Sequence, residues 1–279
     1  MTVLAPTAPP PGSVVLPARA RTGRRSGRWR RWLRVLVPLA LLGLWQAGSS
    51  TGLIPQLVLD SPVTVGRALV ELWQDGLLRD SIAASLQRAA VGFLIGLVTG
   101  LVLGLLTGLS RLGEEMLDST VQMLRTVPFL ALIPLFMIWF GIGEAPKVAL
   151  IAAACTFAVY FNTYAGVRGV DPRLVEAGRT FGLSRSEVVR QITLPLALPT
   201  LLVGVRYSLG VSLLALVAAE QVNARSGLGY IVMDARNSLR VDLVLAGIVV
   251  YAALGIVVDL LSRALAKVLM PWHVENVGA

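Results

Sequence analysis

The sequence predicts an all-α integral membrane protein of about six transmembrane helices. The first observation is composition: 55% of the 279 residues are apolar, only 15% are charged, and mean hydropathy is +0.73. That is more apolar surface than one soluble core can hide. The second is that six stretches approach the roughly 20 apolar residues needed to cross the ~30 Å hydrocarbon layer. The third is that Lys and Arg sort into alternate connecting segments.

Along the chain, the expected spans Val35 to Ile54, Ala89 to Leu109 and Val148 to Val167 carry no charged residue. Thr126 to Ile142 is shorter, contains Pro128 and Pro134, and extends back through Val121 with Arg125 near its end. Ile192 to Ala219 is interrupted by Arg206 alone, and Leu243 to Val258 is flanked by Asp242 and Asp259. Before them, residues 1–28 are rich in Pro, Ala, Gly and Arg and have no apolar period, so they read as a disordered basic tail. The membrane domain is expected over 29–272 and a short tail over 273–279.

Eight of the 25 basic residues lie between Arg19 and Arg34, beside the first apolar run. If the N-terminus is inside and the spans alternate, the inner segments hold sixteen Lys and Arg and the outer ones six. This bias places both termini in the cytoplasm. A competing reading takes the Arg-rich start, the apolar run and Ala47, Gly48 and Ser49 as a cleaved signal peptide. It would leave five spans and export the basic third loop.

Other classes lack their residues. A single cysteine, Cys155, forms no internal disulfide, and a single histidine, His273, builds no metal cluster or His-centred triad. Cys155 reads as a packing residue. The net charge of +9 is that of a membrane flank, with no aromatic-rich basic surface for nucleic acid. Absence of a Gly-x-x-x-x-Gly-Lys-Ser/Thr loop leaves no usual cradle for ATP phosphates. A membrane-embedded enzyme would need a polar catalytic cluster, and an ion-coupled carrier would show paired mid-membrane acids and internal repeats. These are the rival readings.

Two patterns carry mechanism. Gly92, Gly96, Gly100, Gly104 and Gly108 recur at every fourth position, a spacing that opens a groove for close approach of another helix, in this subunit or a second one. The loop over 168–195 contains DPRLVEAGRTFGLSRSEVVRQITLP from Asp171. Pro172 is placed to start a helix, Gly182 to end it in a left-handed cap, and Ser184 with Glu187 to form a capping box for a second. Val175 and Phe181 are expected to share an apolar face. Two short amphipathic helices in a basic loop read either as a docking surface or as a solvated connector. Among ionisable groups in or near spans, Arg88, Arg125, Arg206 and Glu220 are candidates for a substrate path, or for snorkelling or internal ion pairs. Tyr160, Asn162, Thr163 and Tyr164 read as an interface anchor.

The loop resembles the signature of permease subunits of binding-protein-dependent ABC importers. In that pattern Glu-Ala-Ala is followed after three residues by Gly and after nine more by Ile-x-Leu-Pro. Glu176, Ala177, Gly178, Gly182, Ile192, Leu194 and Pro195 occupy those positions, with Gly178 replacing the third-position Ala. The resemblance covers roughly Leu33 to Trp272. SRLGEEMLDSTVQMLRTVPFLALIPLFMIWFGIGEAPK (Ser110–Lys147) and AEQVNARSGLGYIVMDAR (Ala219–Arg236) are similar to aliphatic sulfonate permeases and their taurine and nitrate relatives.

The resemblance implies a type I importer fold, a homodimer on the bacterial cytoplasmic membrane, two separate ATPase subunits that hold ATP and Mg, and an extracytoplasmic binding protein. It makes the 168–195 loop the ATPase-coupling element, with no cofactor on this chain. It also sets the Ala219–Arg236 run by the outer gate, with Gly227 and Gly229 breaking the helix there. The substrate implied is a small organic anion, with an aliphatic sulfonate first and taurine, nitrate or a vitamin precursor open.

Overall fold

A computed structural model describes residues 28–55, 58–222 and 224–269, without the side chains of 28–35, 117, 118, 125 and 269. Most of the expected 1–28 tail and all of the 273–279 tail lie outside the described residues. The described elements are helical. In order they are α1 (Arg28–Ser50), α2 (Pro62–Gln74), α3 (Leu77–Leu109), α4 (Arg111–Gly113), a π turn (Glu114–Asp118), α5 (Ser119–Arg125), a 3₁₀ turn (Phe129–Leu132), α6 (Ile133–Phe140) and α7 (Ala145–Arg168). Then come α8 (Pro172–Thr180), α9 (Arg185–Val188), a second π turn (Val189–Thr193), α10 (Leu194–Glu220), α11 (Leu228–Asn237) and α12 (Val241–Leu269). The chain divides into two units, 1–45 and 46–279. The second contains α2 through α12 and builds the helical bundle.

Among the described residues, four helices are long and apolar enough to span a bilayer: α3, α7, the run from Arg185 to Glu220, and α12. A fifth crossing is the pair Arg111–Leu124 and Phe129–Phe140, bent by 90° at its break. The expected first span rests on α1, whose apolar part, Leu36–Ser50, is shorter than the others.

The bend corrects the expectation for the third span. Arg125 sits at the break, ahead of Pro128 and the 3₁₀ turn, because the residue before a proline leaves the α region. The second span begins at Leu77, twelve residues before the expected Ala89, because Ser85 and Arg88 are buried with partners. The sixth runs through Asp259 to Leu269 instead of stopping before it.

Helix α3 is held to α7 along the glycine ladder. A Cβ at Gly92 would fall 2.6 Å from Ile151 Cβ, at Gly96 2.5 Å from Cys155 Cβ, and at Gly100 2.7 Å from Val159 Cβ. At Gly104 it would fall 2.6 Å from Thr163 Cβ, and at Gly108 2.9 Å from Val167 Cβ. Each step of four on α3 meets a step of four on α7, so the two helices run parallel in tight contact. The ladder therefore packs helices within one subunit, and Cys155 is buried in that seam. Tyr160 and Thr163, expected at the interface, are fully buried there too.

Parallel α3 and α7 require the chain between them to cross back. The bent segment supplies that return. On the other side of α7, α10 runs antiparallel: Cys155 Sγ lies 3.5 Å from the Ser208 carbonyl, and a Cβ on Gly166 would meet the Ala197 carbonyl at 3.1 Å. Outward faces stay apolar, with Val98, Val102, Ile256 and Leu260 exposed, as lipid contact demands.

Filling the ladder should break the seam. Gly96→Val overpacks α7 and is expected to cost about 1–3 kcal/mol, lowering the thermal midpoint in detergent. Gly255→Ala, with nothing within 4 Å of the added Cβ, should match wild type.

Candidate functional site

At the end of the bundle where α10 stops and α11 begins lies a buried polar network. Arg88 reaches it from α3, Glu220 from the last turn of α10, Tyr251 from α12, and Glu144 and Lys147 from the start of α7. Glu220 is fully buried. Its Oε1 accepts from Ser85 Oγ and Arg88 Nη1, both at 2.6 Å. Its Oε2 accepts from the Gly229 N–H at 2.9 Å and Tyr251 Oη at 2.8 Å.

Arg88 uses all five of its donors. Nη1 also donates to the Ser226 carbonyl at 2.8 Å, and Nη2 donates to Ser226 Oγ at 2.7 Å and Glu144 Oε1 at 3.0 Å. Nε donates to the second oxygen of Glu144. Lys147 Nζ pairs with Glu144 Oε1 at 3.0 Å. Two cations and two carboxylates balance, which is what lets charge sit here.

Partial desolvation works against the Glu144 charge, but hydrogen bonds from Arg88 and Lys147 prevail and hold its carboxyl below the usual range. Its contribution to stability is therefore complete at neutral pH and fades as pH falls through the folded-state pKa.

The network fixes the turn into α11. Gly227 adopts φ +103°, and a Cβ there would strike both Arg88 and Glu220. Gly229 does not break a helix as expected. It lies in the first turn of α11, where a Cβ would collide with Glu220 and where its N–H binds that carboxylate. Glu220, a candidate for a substrate path or for an internal ion pair, is enclosed, with both carboxylate oxygens bonded within the network.

Two helices at this end were not expected from the apolar runs. α2 is started by Ser61, whose Oγ accepts from Thr64 N–H at 3.2 Å, with Pro62 at its first turn. It buries Val65, Ala68 and Leu72, while α11 buries Leu228, Ile231 and Ala235. Both show the same i, i+3, i+7 stripe, a signal readable in each case. Arg240, just before α12, pairs with Asp242 at 2.5 Å and approaches Glu71 of α2 at 3.7 Å.

The opposite end carries the 168–195 loop as two short helices. Asp171 caps α8 by accepting from Arg173 N–H at 2.9 Å. Gly182, at φ +85°, ends it in a Schellman motif, with Leu183 N–H on the Gly178 carbonyl at 3.1 Å and Gly182 N–H on the Arg179 carbonyl at 3.0 Å. Ser184 and Glu187 form the capping box of α9. Gly178 is the buried residue of α8, and a Cβ on it would fall 2.5 Å from Ile192 Cδ1. Two motif positions, Gly178 and Ile192, thus touch, and the departure from Ala brings α8 close to the turn leading into α10. Leu194 and Pro195 begin α10.

Phe181 does not share a buried face with Val175. It is 87% exposed, beside the exposed Glu176 and Ala177. Near this end Glu114, in the first π turn, accepts from Tyr164 Oη at 2.7 Å and pairs with Arg168. Of the remaining candidates, Arg206 lines a cavity on α10, and the side chain of Arg125 lies outside the described residues.

Removing Glu220 should be far more damaging than removing Glu144. Glu220→Ala leaves buried donors unpaired and is expected to cost about 3–5 kcal/mol. Glu144→Gln keeps an amide oxygen for Arg88 at the partly exposed partner but drops the charge that balances the two buried cations, and should cost less, about 1–2 kcal/mol. Thermal unfolding and protease sensitivity of the 221–240 segment would read both.

Residues 96–270 match the family model described as binding-protein-dependent transport system inner membrane component. The chain is 45% identical over 248 residues to the putative aliphatic sulfonates transport permease of Escherichia coli K12, covering 88% of this chain and 94% of that protein. It is 41% identical over 255 residues to the protein of the same description in Bacillus subtilis 168, covering 91% and 92%. The taurine transport system permease of E. coli K12 is 36% identical over 272 residues, covering 94% and 99%.

Among solved structures, an amino acid ABC transporter superposes with a TM-score of 0.59 at 18% identity, covering 71% of this chain and 97% of that one. The inward-facing MetNI methionine ABC transporter superposes at 0.54 and 20% identity, covering 68% and 97%. These likenesses establish the fold, that of type I ABC importer permeases. The capped loop, the parallel glycine seam and these matches together place the chain in the binding-protein-dependent transport system inner membrane component family, as a multi-pass ABC transporter permease.

Proposed function

We propose that this permease carries small organic anions, aliphatic sulfonates first, into a bacterial cell. It works as a homodimer with two ATPase subunits, which hold the ATP and Mg, beneath it. An extracytoplasmic binding protein delivers the substrate, and this chain binds no cofactor. Both termini face the cytoplasm, which puts the 168–195 loop on the ATPase side and the Arg88–Glu220 network on the outer side. Support for the substrate comes from the names carried by relatives at 41% and 45% identity.

The observation that carries the coupling role is the shape of the 168–195 loop. Its two helices are capped at each junction, braced by Gly178 against Ile192, and leave Glu176 and Phe181 outward. A short rigid helix of this kind transmits motion of a partner to α7 and α10 as a body. Glu176 and Phe181 would seat in the ATPase, and α10, entered through the turn that contains Ile192, would follow. At the other end of α10, Glu220 holds the turn into α11, so a shift of α10 strains the outer network.

Co-purification with the candidate ATPase tests this. Wild type should form a stable complex whose ATPase activity rises with a sulfonate-loaded binding protein. Glu176→Arg combined with Gly182→Trp should lose both, since Trp cannot adopt φ +85° without strain and Arg reverses the exposed charge. A permease that purifies alone, with the double change making no difference, would remove the coupling reading.

A further inference from the structure

Between α10 and α12 lies an open groove of about 730 Å³ lined by Arg206, Tyr207, Gly210, Leu214, Asp259 and Ser262 among others. That volume is in the range of small-molecule sites. Arg206 Nη2 lies 3.3 Å from Asp259 Oδ1, while Arg263 Nε, one turn along α12, holds Asp259 Oδ2 at 2.7 Å. Two guanidiniums thus share one carboxylate, and Asp259 is the one acid among the lining residues. The cluster keeps a surplus positive charge at the edge of a largely apolar groove. Arg206 is the more loosely held of the two guanidiniums by its longer contact, 3.3 Å against 2.7 Å.

Arg206 stands roughly 18 Å from Leu194 and roughly 21 Å from Glu220 at 1.5 Å per residue, close to the middle of α10. Lipid headgroups lie outside the ~30 Å hydrocarbon layer, so a mid-helix cation beside a groove with room for a small molecule suits a passing solute better than a lipid. Charged groups at such depth are costly unless they face a cavity or a partner.

We propose that Arg206, Asp259 and Arg263 form a transit station for the oxyanion head of the substrate. In the empty station Asp259 serves as an internal stand-in for that head. An arriving sulfonate takes Arg206 from Asp259 and accepts the bidentate contact a guanidinium offers, while Arg263 keeps Asp259 neutralised. When the anion leaves, Asp259 takes Arg206 back, so the site does not trap its cargo. A neighbouring cavity of about 490 Å³, sharing Tyr207, Val211 and Leu214 and lined by Phe157 and Phe161, gives the apolar tail a place on the same α10 face. This inference rests on the proposed anion substrate.

The test uses the complete permease and ATPase complex in phosphatidylcholine nanodiscs, without binding protein, and equilibrium binding of radiolabelled ethanesulfonate. Arg206→Met should weaken binding by at least about tenfold, the size of one charge-assisted contact, and Arg206→Lys should recover part of it. Asp259→Asn should tighten binding several-fold, because the competing internal carboxylate is gone. A purely structural ion pair would give the opposite sign for Asp259→Asn.

Unchanged affinity in Arg206→Met, or weaker binding in Asp259→Asn, would overturn the station. So would a lipid site, recognised by retention of phosphatidylglycerol that depends on Arg206 while ethanesulfonate binding does not. Stimulation of wild-type ATPase by a loaded binding protein is measured in parallel with several anions. If sulfonates fail there but another anion succeeds, the substrate reading falls, and that anion becomes the probe at Arg206.

Discussion

Burying a carboxylate completely is tolerable only when every lone pair is met, and Glu220 meets that condition with four donors drawn from separate parts of the chain. Ser85 and Arg88 come from α3, the Gly229 N–H from α11 and the Tyr251 hydroxyl from α12. Arg88 in turn spends its five donors on Glu220, Glu144 and Ser226. The start of α7 and the loop before α11 are thereby tied to the same point. The glycines at 227 and 229 are a consequence, since a side chain at either position would occupy the space of the ion pair. The network ties α3, α7, α10, α11 and α12 at one point, so a shift of any one of them bears on the others.

The other end is built on a different principle. There the helices are short, capped by their own residues and largely exposed, so the loop holds its shape through local bonds and presents side chains outward. α7 and α10 join the two ends; α7 is held to the glycine ladder of α3, and α10 packs antiparallel against α7. In the proposed coupling, a push on α8 and α9 would pass through the turn at Val189–Thr193 into α10 and on toward Glu220. The cavities on α10 lie midway along this lever, where a change in its tilt would alter the space around Arg206.

Local features were legible in the sequence, and distant ones were not. Pro172, Gly182, Ser184 and Glu187 announce their caps because each acts within a few residues, and the five-glycine period reports a close helix contact wherever its partner lies. The pairing of Arg88 with Glu220 spans 132 positions, so the two costly charges are visible in sequence while their mutual cancellation is not. α2 and α11 are short, and their stripes are faint beside the long apolar runs that dominate the hydropathy pattern. The 90° bend reflects Pro128, which marks an irregular point without showing which way the chain turns after it. Gly178 shows in the sequence as a departure from Ala, and the position of Ile192 shows it as a point of contact.

One claim underlies both ends of the molecule, that ATP spent by a partner moves an anion through this chain. Reconstitution of the permease with its ATPase and binding protein in proteoliposomes, followed by uptake of labelled ethanesulfonate, tests it most directly. Uptake that requires ATP, the ATPase subunit and the binding protein together, and that builds a gradient against concentration, is the predicted result. Uptake that proceeds with the permease alone, driven by an imposed proton or sodium gradient and indifferent to ATP, would contradict it.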